Sequence, residues 1–263
     1  MKLIFIRHGE PDYNTDSLTQ NGILESEALA KRIKNWDVTD FFVSPLGRAI
    51  ETAAPTLKLL NREATTLPFL HEYSYQITDP VTKKASIPWD FVPSSWTNEP
   101  YMFETGNAFL NFPCIKENPK ISEKYDEAIN GIDSLLSSYG YIREGKIYRN
   151  INGIERFLTS TVSEDKSIRN NSPLKEGEKE TTLVFFCHLG IICLLLSHLI
   201  NIPFEALVHG FFMPTSSITV LSTEERWSNE CYFRVQALGD CNHLIKENIK
   251  ISPAGSFADP FQG

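Results

Sequence analysis

No apolar run in this 263-residue sequence is long enough to cross a bilayer. The most apolar stretch, Leu189–Ile200, has 12 positions and includes Gly190 and His198. The run near the N-terminus, Leu3 to Ile6, has four apolar residues before Arg7, too few for a signal peptide. Positive charge is in deficit, with 25 Lys and Arg against 33 Asp and Glu and a net charge of −8. A chain of that sign is a poor partner for nucleic acid or an anionic membrane surface. A local arginine cluster can still hold a small anion. The five cysteines are odd in number and irregularly spaced, so they provide no disulfide framework. Reduced thiols in a cytoplasmic protein are expected. No internal repeat is visible. With 41% hydrophobic and 22% charged residues, disorder, collagen and coiled coil are excluded. At about 150 residues per domain the length allows one to two domains. Residues 1–263 are expected to form one domain carrying an insertion.

The first block alternates strand and helix. Lys2 to Ile6 fits a buried strand. Thr19 is a good N-cap for a helix with Leu24, Ala28, Leu29 and Ile33 on one side. Phe41 to Val43 makes a second buried strand, ended by Ser44-Pro45. Leu46, Ala49, Ile50, Ala53, Leu57 and Leu60 follow at helical spacing, with Pro55 inside, where it removes a hydrogen bond and favours a kink. Residues 74–118 carry Trp89, Trp96, five prolines and no clear period, so they are expected to form a cap or lid. Tyr125, Ile129, Ile132, Leu135, Leu136 and Tyr139 then recur as a helix, with Gly140 as its stop. Residues 159–180 are almost all polar, as in a mobile surface loop. Thr182 to Cys187 is a third apolar strand, followed by an apolar helix to about Ile200. Ser217 to Leu221 and Cys231 to Leu238 are two more strands. Alternating strands and helices predict a three-layer α/β/α sandwich with a mostly parallel central sheet.

Two histidines follow strands: His8 in Arg7-His8-Gly9-Glu10, and His188 in His188-Leu189-Gly190. Ligand sites in open α/β sheets lie beyond the carboxyl ends of strands, so both are expected at one rim. A lone histidine there is more often a plain hydrogen-bonded residue than a nucleophile. His8 differs in having arginine beside it. Arg7-His8-Gly9-Glu10, Leu18-Thr19-x-x-Gly22 and Ser44-Pro45-Leu46-Gly47-Arg48-Ala49-x-x-Thr52-Ala53, in that order, resemble the histidine phosphatase superfamily in its phosphoglycerate-mutase-like branch. So do Phe186-Cys187-His188-x-Gly190, Pro214-Thr215-Ser216-Ser217-Ile218-Thr219 and Gly239-Asp240-x-x-His243. The matches cover roughly residues 2–72 and 182–243.

The resemblance implies a phosphoglycerate-mutase-like fold and a set of roles. His8 would be the nucleophile that forms a phosphohistidine. Arg7, Arg48 and His188 would bind phosphoryl oxygens. Asn14 matches a position that often touches the phosphate, and Glu72 falls where the family places its proton donor. The chemistry agrees independently. A nucleophilic imidazole must be neutral, and nearby Arg7 and Arg48 disfavour its protonation. Phosphoryl transfer needs positioned cations on the equatorial oxygens. At an effective dielectric near 20 and a separation of about 4 Å, each arginine–oxygen pair is worth roughly 4 kcal/mol before desolvation. Two arginines, and His188 when protonated, would roughly balance a dianion. Glu72 must hold a proton, which requires burial and a raised pKa. Glu10, Asp90 and Glu104 compete for that role.

Bland alternatives stand beside these. Arg48 could form a surface ion pair and Asn14 could be a turn residue. Trp89 and Trp96 could line a pocket or merely pack the insertion. Cys231, Cys241 and His243 fit no common zinc spacing and are better taken as buried groups. Cys187 is better taken as core than as a redox thiol. His209 has no assigned partner. Two departures from the family stand out: Leu189 occupies a position where glycine is usual, which would narrow the site, and Cys187 one where serine is common.

The reading that follows is a metal-independent histidine phosphatase of the acid type. It would act through a phosphohistidine on a small phosphorylated metabolite, with no cofactor. A phosphoglycerate-mutase-type phosphotransferase and a non-catalytic phospho-ligand-binding protein are the alternatives. Neither substrate identity nor oligomeric state is specified by the sequence.

Overall fold

The structure, a computed structural model, describes residues 1–151, 180–225, 229–256 and 258–262. Most of 159–180, expected to be a surface loop, lies outside the described residues. Eight strands form the central sheet: β1 (Lys2–Arg7), β2 (Asp40–Val43), β3 (Thr65–Thr66), β4 (Tyr141–Glu144), β5 (Ile147–Asn150), β6 (Thr182–Cys187), β7 (Ile218–Glu225) and β8 (Glu230–Asp240). Their order is β3-β2-β6-β1-β7-β8-β5-β4. Helices α1 (Gln20–Ile33), α2 (Gly47–Leu60), α3 (Pro119–Ser138), α4 (Leu189–Ile200), α5 (Phe204–Gly210) and α6 (Asn242–Lys246) surround it.

The apolar strands split by residue parity, as a period of two demands. Leu3, Phe5, Phe42, Leu183 and Phe185 face a core shared with α3, α4 and α5. Ile4, Ile6, Phe41, Val43, Val184 and Phe186 face a second core shared with α1 and α2. These faces are the layers of the three-layer α/β/α sandwich. Parallel registry aligns Phe5, Phe185 and Phe42 across three strands, where their rings stack at 4.9 and 5.1 Å.

The sheet is mixed. Its β3-β2-β6-β1 block is parallel and carries the strand ends with the histidines. Beyond β1 the pairing is antiparallel. Connection length accounts for two of these pairs: only four residues separate β7 from β8 and two separate β4 from β5, and parallel strands need a long crossover. The β4–β5 hairpin went unread in the sequence. Its signal was the alternation in Tyr-Ile-Arg-Glu and Ile-Tyr-Arg-Asn about Gly145, whose φ is +60°.

Helix starts follow their caps. Thr19 Oγ1 accepts from Gly22 N at 3.1 Å, and Asn118 accepts from Lys120 N at 3.2 Å with Pro119 in the first turn. Leu24 and Ile50, assigned to inner faces from spacing, are instead 45% and 46% exposed. The α1–α2 seam is filled by Leu29, Ile33, Ala49 and Ala53, which leaves those two outside it.

Residues 74–118 form a small ribbon, Ile77–Thr78 with Ala85–Ser86, and a series of short turns. Pro93, Pro100 and Pro113 each open one of those turns. Phe91, Trp96, Met102, Phe109, Phe112 and Ile115 anchor the segment in the larger core. Each such buried side chain contributes roughly 1.5–3 kcal/mol.

Helix α2 runs through Pro55 without ending, so the carbonyl of Glu51 has no helical amide to accept. Pro55→Ala should raise the unfolding free energy by about 1–2 kcal/mol, the regained helix bond outweighing the greater freedom of the unfolded chain. Urea denaturation with an unchanged m-value checks this. A midpoint at or below wild type would show that the proline packs too well to replace.

Candidate active site

Parallel pairing places Arg7 opposite Cys187, and His8 N donates to Cys187 O at 2.9 Å. The next residue on each strand is a histidine. Their ring centroids are 5.1 Å apart, and both side chains are buried. The main chain at His8 is held at every amide. Arg7 N donates to Ser217 O at 3.2 Å, Gly9 N to Thr52 Oγ1 at 2.9 Å, and Glu10 N to Glu25 Oε2 at 2.8 Å.

His8 Nδ1 lies 2.7 Å from Gly9 O. A carbonyl only accepts, so Nδ1 carries the proton and Nε2 keeps its lone pair. Burial, then Arg7, push the His8 pKa well below its usual 6.5, and Arg48 adds to this. The imidazole is therefore neutral at neutral pH.

Arg7 is almost fully buried. Its Nη1 and Nη2 donate to Met213 O and Ala254 O, both at 2.8 Å. Gly255, at φ +80°, packs on the guanidinium so closely that a Cβ would lie 2.7 Å from Nη2. Arg48, in the first turn of α2, pairs with Asp16 Oδ1 at 2.5 Å. Asp16 also accepts from Gly47 N at 2.7 Å, which caps α2 where Leu46 has no capping side chain. Arg7 Nε, Arg48 Nε and His188 Nδ1 are buried with no hydrogen-bond partner among the described residues. They leave donor capacity at the rim for an anion's oxygens.

His188 Nε2 meets Ser44 Oγ at 2.7 Å. Burial, His8 and Arg48 hold its pKa well below 6.5. That lowering disfavours the protonated form of His188, on which its share of positive charge towards a dianion depends.

Glu72 follows the turn Pro68–Leu70 and is buried. Its Oε1 accepts from Tyr73 N at 2.8 Å and from Ile191 N, in the first turn of α4, at 3.1 Å. Burial raises its pKa although those two amides and both arginines pull the other way. Gly190 allows this packing. A Cβ there would sit 2.7 Å from Glu72 Oε1 and 2.6 Å from Trp89 Nε1. Trp89 thus lies beside Glu72, with its Nε1 donating to Tyr73 O at 2.7 Å. Trp96 packs away from it, stacked on His209 at 4.7 Å, and His209 pairs with the buried Glu205 at 3.2 Å.

Asn14 is exposed, and its main-chain N donates to Asp12 Oδ1. Its neighbour Tyr13 is the residue that meets the arginines: the Arg48 guanidinium lies 5.5 Å over its ring, and its phenol acts on the Arg7 charge. Tyr13, Asp16, Ser44 and Thr52 went unassigned in the sequence. Tyr13 and Asp16 lack any motif, while Ser44 and Thr52 stood in one without a role. Glu10 accepts from Thr19 and Asn21. Glu25 is wholly buried, and burial pushes its pKa up to about 7. Leu189 packs in the larger core, and the buried Cys187 thiol is pushed well above its usual range. All five cysteines are free and buried. Among the described residues no group of three His, Cys, Asp or Glu could hold a metal ion, and no helix is long and apolar enough to cross a membrane.

The profile of the histidine phosphatase superfamily (branch 1) matches residues 3–108, a stretch that includes Arg7, His8, Arg48 and Glu72. Over that stretch the chain is similar to the histidine phosphatase superfamily. A 2,3-bisphosphoglycerate-dependent phosphoglycerate mutase of Thermoplasma acidophilum is 33% identical over 73 residues, 24% of this chain. The match spans only 36% of that relative's length. Among solved structures, a phosphoserine phosphatase from Entamoeba histolytica in complex with 3-phosphoglyceric acid has a TM-score of 0.55 at 19% identity, over 92% of this chain and 98% of that one. A mycobacterial glucosyl-3-phosphoglycerate phosphatase has a TM-score of 0.51 at 15% identity, over 90% and 98%. At such identities these structures speak for the fold alone.

The buried histidines give a signed pH dependence. His8 and His188 stay neutral when folded, and His243 is lowered to about 4, first by burial and then by Arg32. Below 6.5 the unfolded chain binds protons that the folded chain does not, so stability falls as pH drops from 6.5 towards 4. His243→Gln should flatten that slope by about 1 kcal/mol per pH unit. Denaturation curves at several pH values check this, and parallel profiles for variant and wild type would refute it.

Proposed function

We propose that the protein is a phosphomonoester phosphatase working through a phosphohistidine on His8, with a small phosphorylated metabolite as substrate. The observation that carries this reading is the His8 tautomer. The Nδ1–H is committed to Gly9 O, so Nε2 is a free, neutral nucleophile beside two arginines.

In the proposed first step His8 Nε2 forms a bond to phosphorus as the ester P–O bond breaks. Arg7, Arg48 and His188 hold the non-bridging oxygens, and Glu72 gives its proton to the leaving oxygen. Water then attacks the phosphohistidine. Glu72 takes one of its protons, phosphate departs and His8 is restored. Asp16 must yield Arg48 to the phosphoryl group, an exchange of one anion for another at the start of α2. Asn14, exposed in the same loop, is kept as a contact for a bound phosphate. Residues 74–118 are the cap of this single-domain enzyme and bring Trp89 to the leaving-group side. The steps use no metal ion and no cofactor.

The match to a phosphoglycerate mutase favours a second reading, in which the phosphoryl group returns to another hydroxyl of the same molecule. That reading requires an isomerised product. A protein that only binds phospho-ligands has no use for a tautomer-locked neutral imidazole beside a buried protonatable carboxyl.

Phosphate release from a panel of phosphorylated metabolites, with chelator present, tests the proposal. Wild type should release phosphate and form an acid-labile protein-bound phosphate, and His8→Ala should do neither. Equal release by purified His8→Ala would sink it. The active form has His8 unprotonated and Glu72 protonated. The acid limb of kcat/KM should therefore lie below pH 6.5 and the alkaline limb above 4.5, the ordinary values of the two groups. Glu72→Gln should lose the alkaline limb and about 10²–10⁴ in rate.

A further inference from the structure

The Pro214–Thr219 and Gly239–His243 stretches contribute no group to the steps above, yet they converge behind His8. Ser216 N donates to His8 O at 3.0 Å. Ser216 holds φ +59°, the left-handed region that residues with a Cβ rarely adopt. Its Oγ lies 3.0 Å from His243 Nε2 and 3.4 Å from Glu25 O. His243 Nδ1 lies 3.4 Å from Arg32 Nη1, and Arg32 is paired through both nitrogens with the Asp240 carboxylate, at 3.1 and 2.5 Å. Ser216 is fully buried and His243 nearly so.

Donor and acceptor chemistry gives this chain one direction. A guanidinium only donates, so His243 Nδ1 accepts and its Nε2 carries the proton. That proton goes to Ser216 Oγ, whose own proton goes to Glu25 O. Asp240 orients Arg32, Arg32 selects the His243 tautomer, and His243 pins the one side chain that keeps residue 216 left-handed. The amide of residue 216 is what grips the carbonyl of His8.

We propose that Asp240, Arg32, His243 and Ser216 form a positioning relay that sets the main chain of His8 and, through it, the line of attack of the imidazole. The second half of this statement rests on the phosphatase reading; the first does not. None of the four touches substrate. A loss of the relay therefore changes the alignment of the nucleophile while the phosphate-holding arginines stay in place.

Two variants and two readouts test it. Glycine accepts φ +59° at no steric cost, so Ser216→Gly should fold with a thermal midpoint no lower than wild type. Without the Oγ it should lose about tenfold to a hundredfold in kcat on p-nitrophenyl phosphate, the scale of a small misplacement. Its KM should stay within about threefold, since oxygen binding is untouched. A merely structural role predicts the opposite, a relaxed backbone with full activity, and full kcat overturns the proposal.

In His243→Ala, amide hydrogen exchange at Ser216 should quicken by about tenfold or more, while exchange at Phe5 in β1 stays unchanged. Unchanged protection at Ser216 overturns the relay. If Phe5 quickens too, the milder Asp240→Asn replaces His243→Ala and is judged by the same two amides. If wild type hydrolyses no phosphomonoester, the phosphatase reading falls and the exchange result alone decides the relay.

Discussion

The pairing of β1 with β6 is the constraint on which the rest depends. Arg7 stands opposite Cys187, and His8 N is bonded to Cys187 O. That register brings two imidazoles from residues 8 and 188 to within 5.1 Å. A slip of one residue would turn one ring to the other face of the sheet and bury its nitrogens in apolar core. The same register aligns Phe5 with Phe185 and Phe42, so packing below the rim enforces the geometry at the rim. The apolar strands and the polar site are set by one ladder.

Desolvation does two chemical tasks at once. It lowers the pKa of His8 and His188 and raises that of Glu72, because burial opposes charge of either sign. The proposed phosphoryl transfer calls for groups shifted in these two directions, one towards a neutral base and one towards a protonated acid. Each of the two arginines is steered by acceptors from elsewhere: Met213 O and Ala254 O for Arg7, Asp16 for Arg48. The residues around 254 and 255 are thereby part of the site, since Gly255 leaves room for the guanidinium that Ala254 orients.

Segment 74–118 shows how an irregular stretch is made definite. Its prolines open turns rather than disturb helices, and its large apolar side chains are seated in the core that α3, α4 and α5 share. The result places Trp89 beside the carboxyl of Glu72, both against Gly190, where a Cβ would meet the two of them. A segment anchored this way has a fixed position relative to the Glu72 carboxyl.

The strand and helix periods and the order of the motifs were legible in the chain itself, because they are local patterns of residue type, and the resemblance carried by those motifs is what singled out Arg7, His8, Arg48, Glu72 and His188 as candidates. The β4–β5 hairpin was legible too, in an alternation that was passed over. Other features were decided only by folding. Tyr13 rather than Asn14 meets the arginines, Asp16 caps α2, Ser216 grips His8 O, and Gly255 lies on Arg7. Each of these joins residues far apart in sequence or depends on which way a loop turns its side chains. The protonation of His188 belongs with them: a histidine's charge is set by the water it loses and the cations it gains, and both are properties of the assembled site.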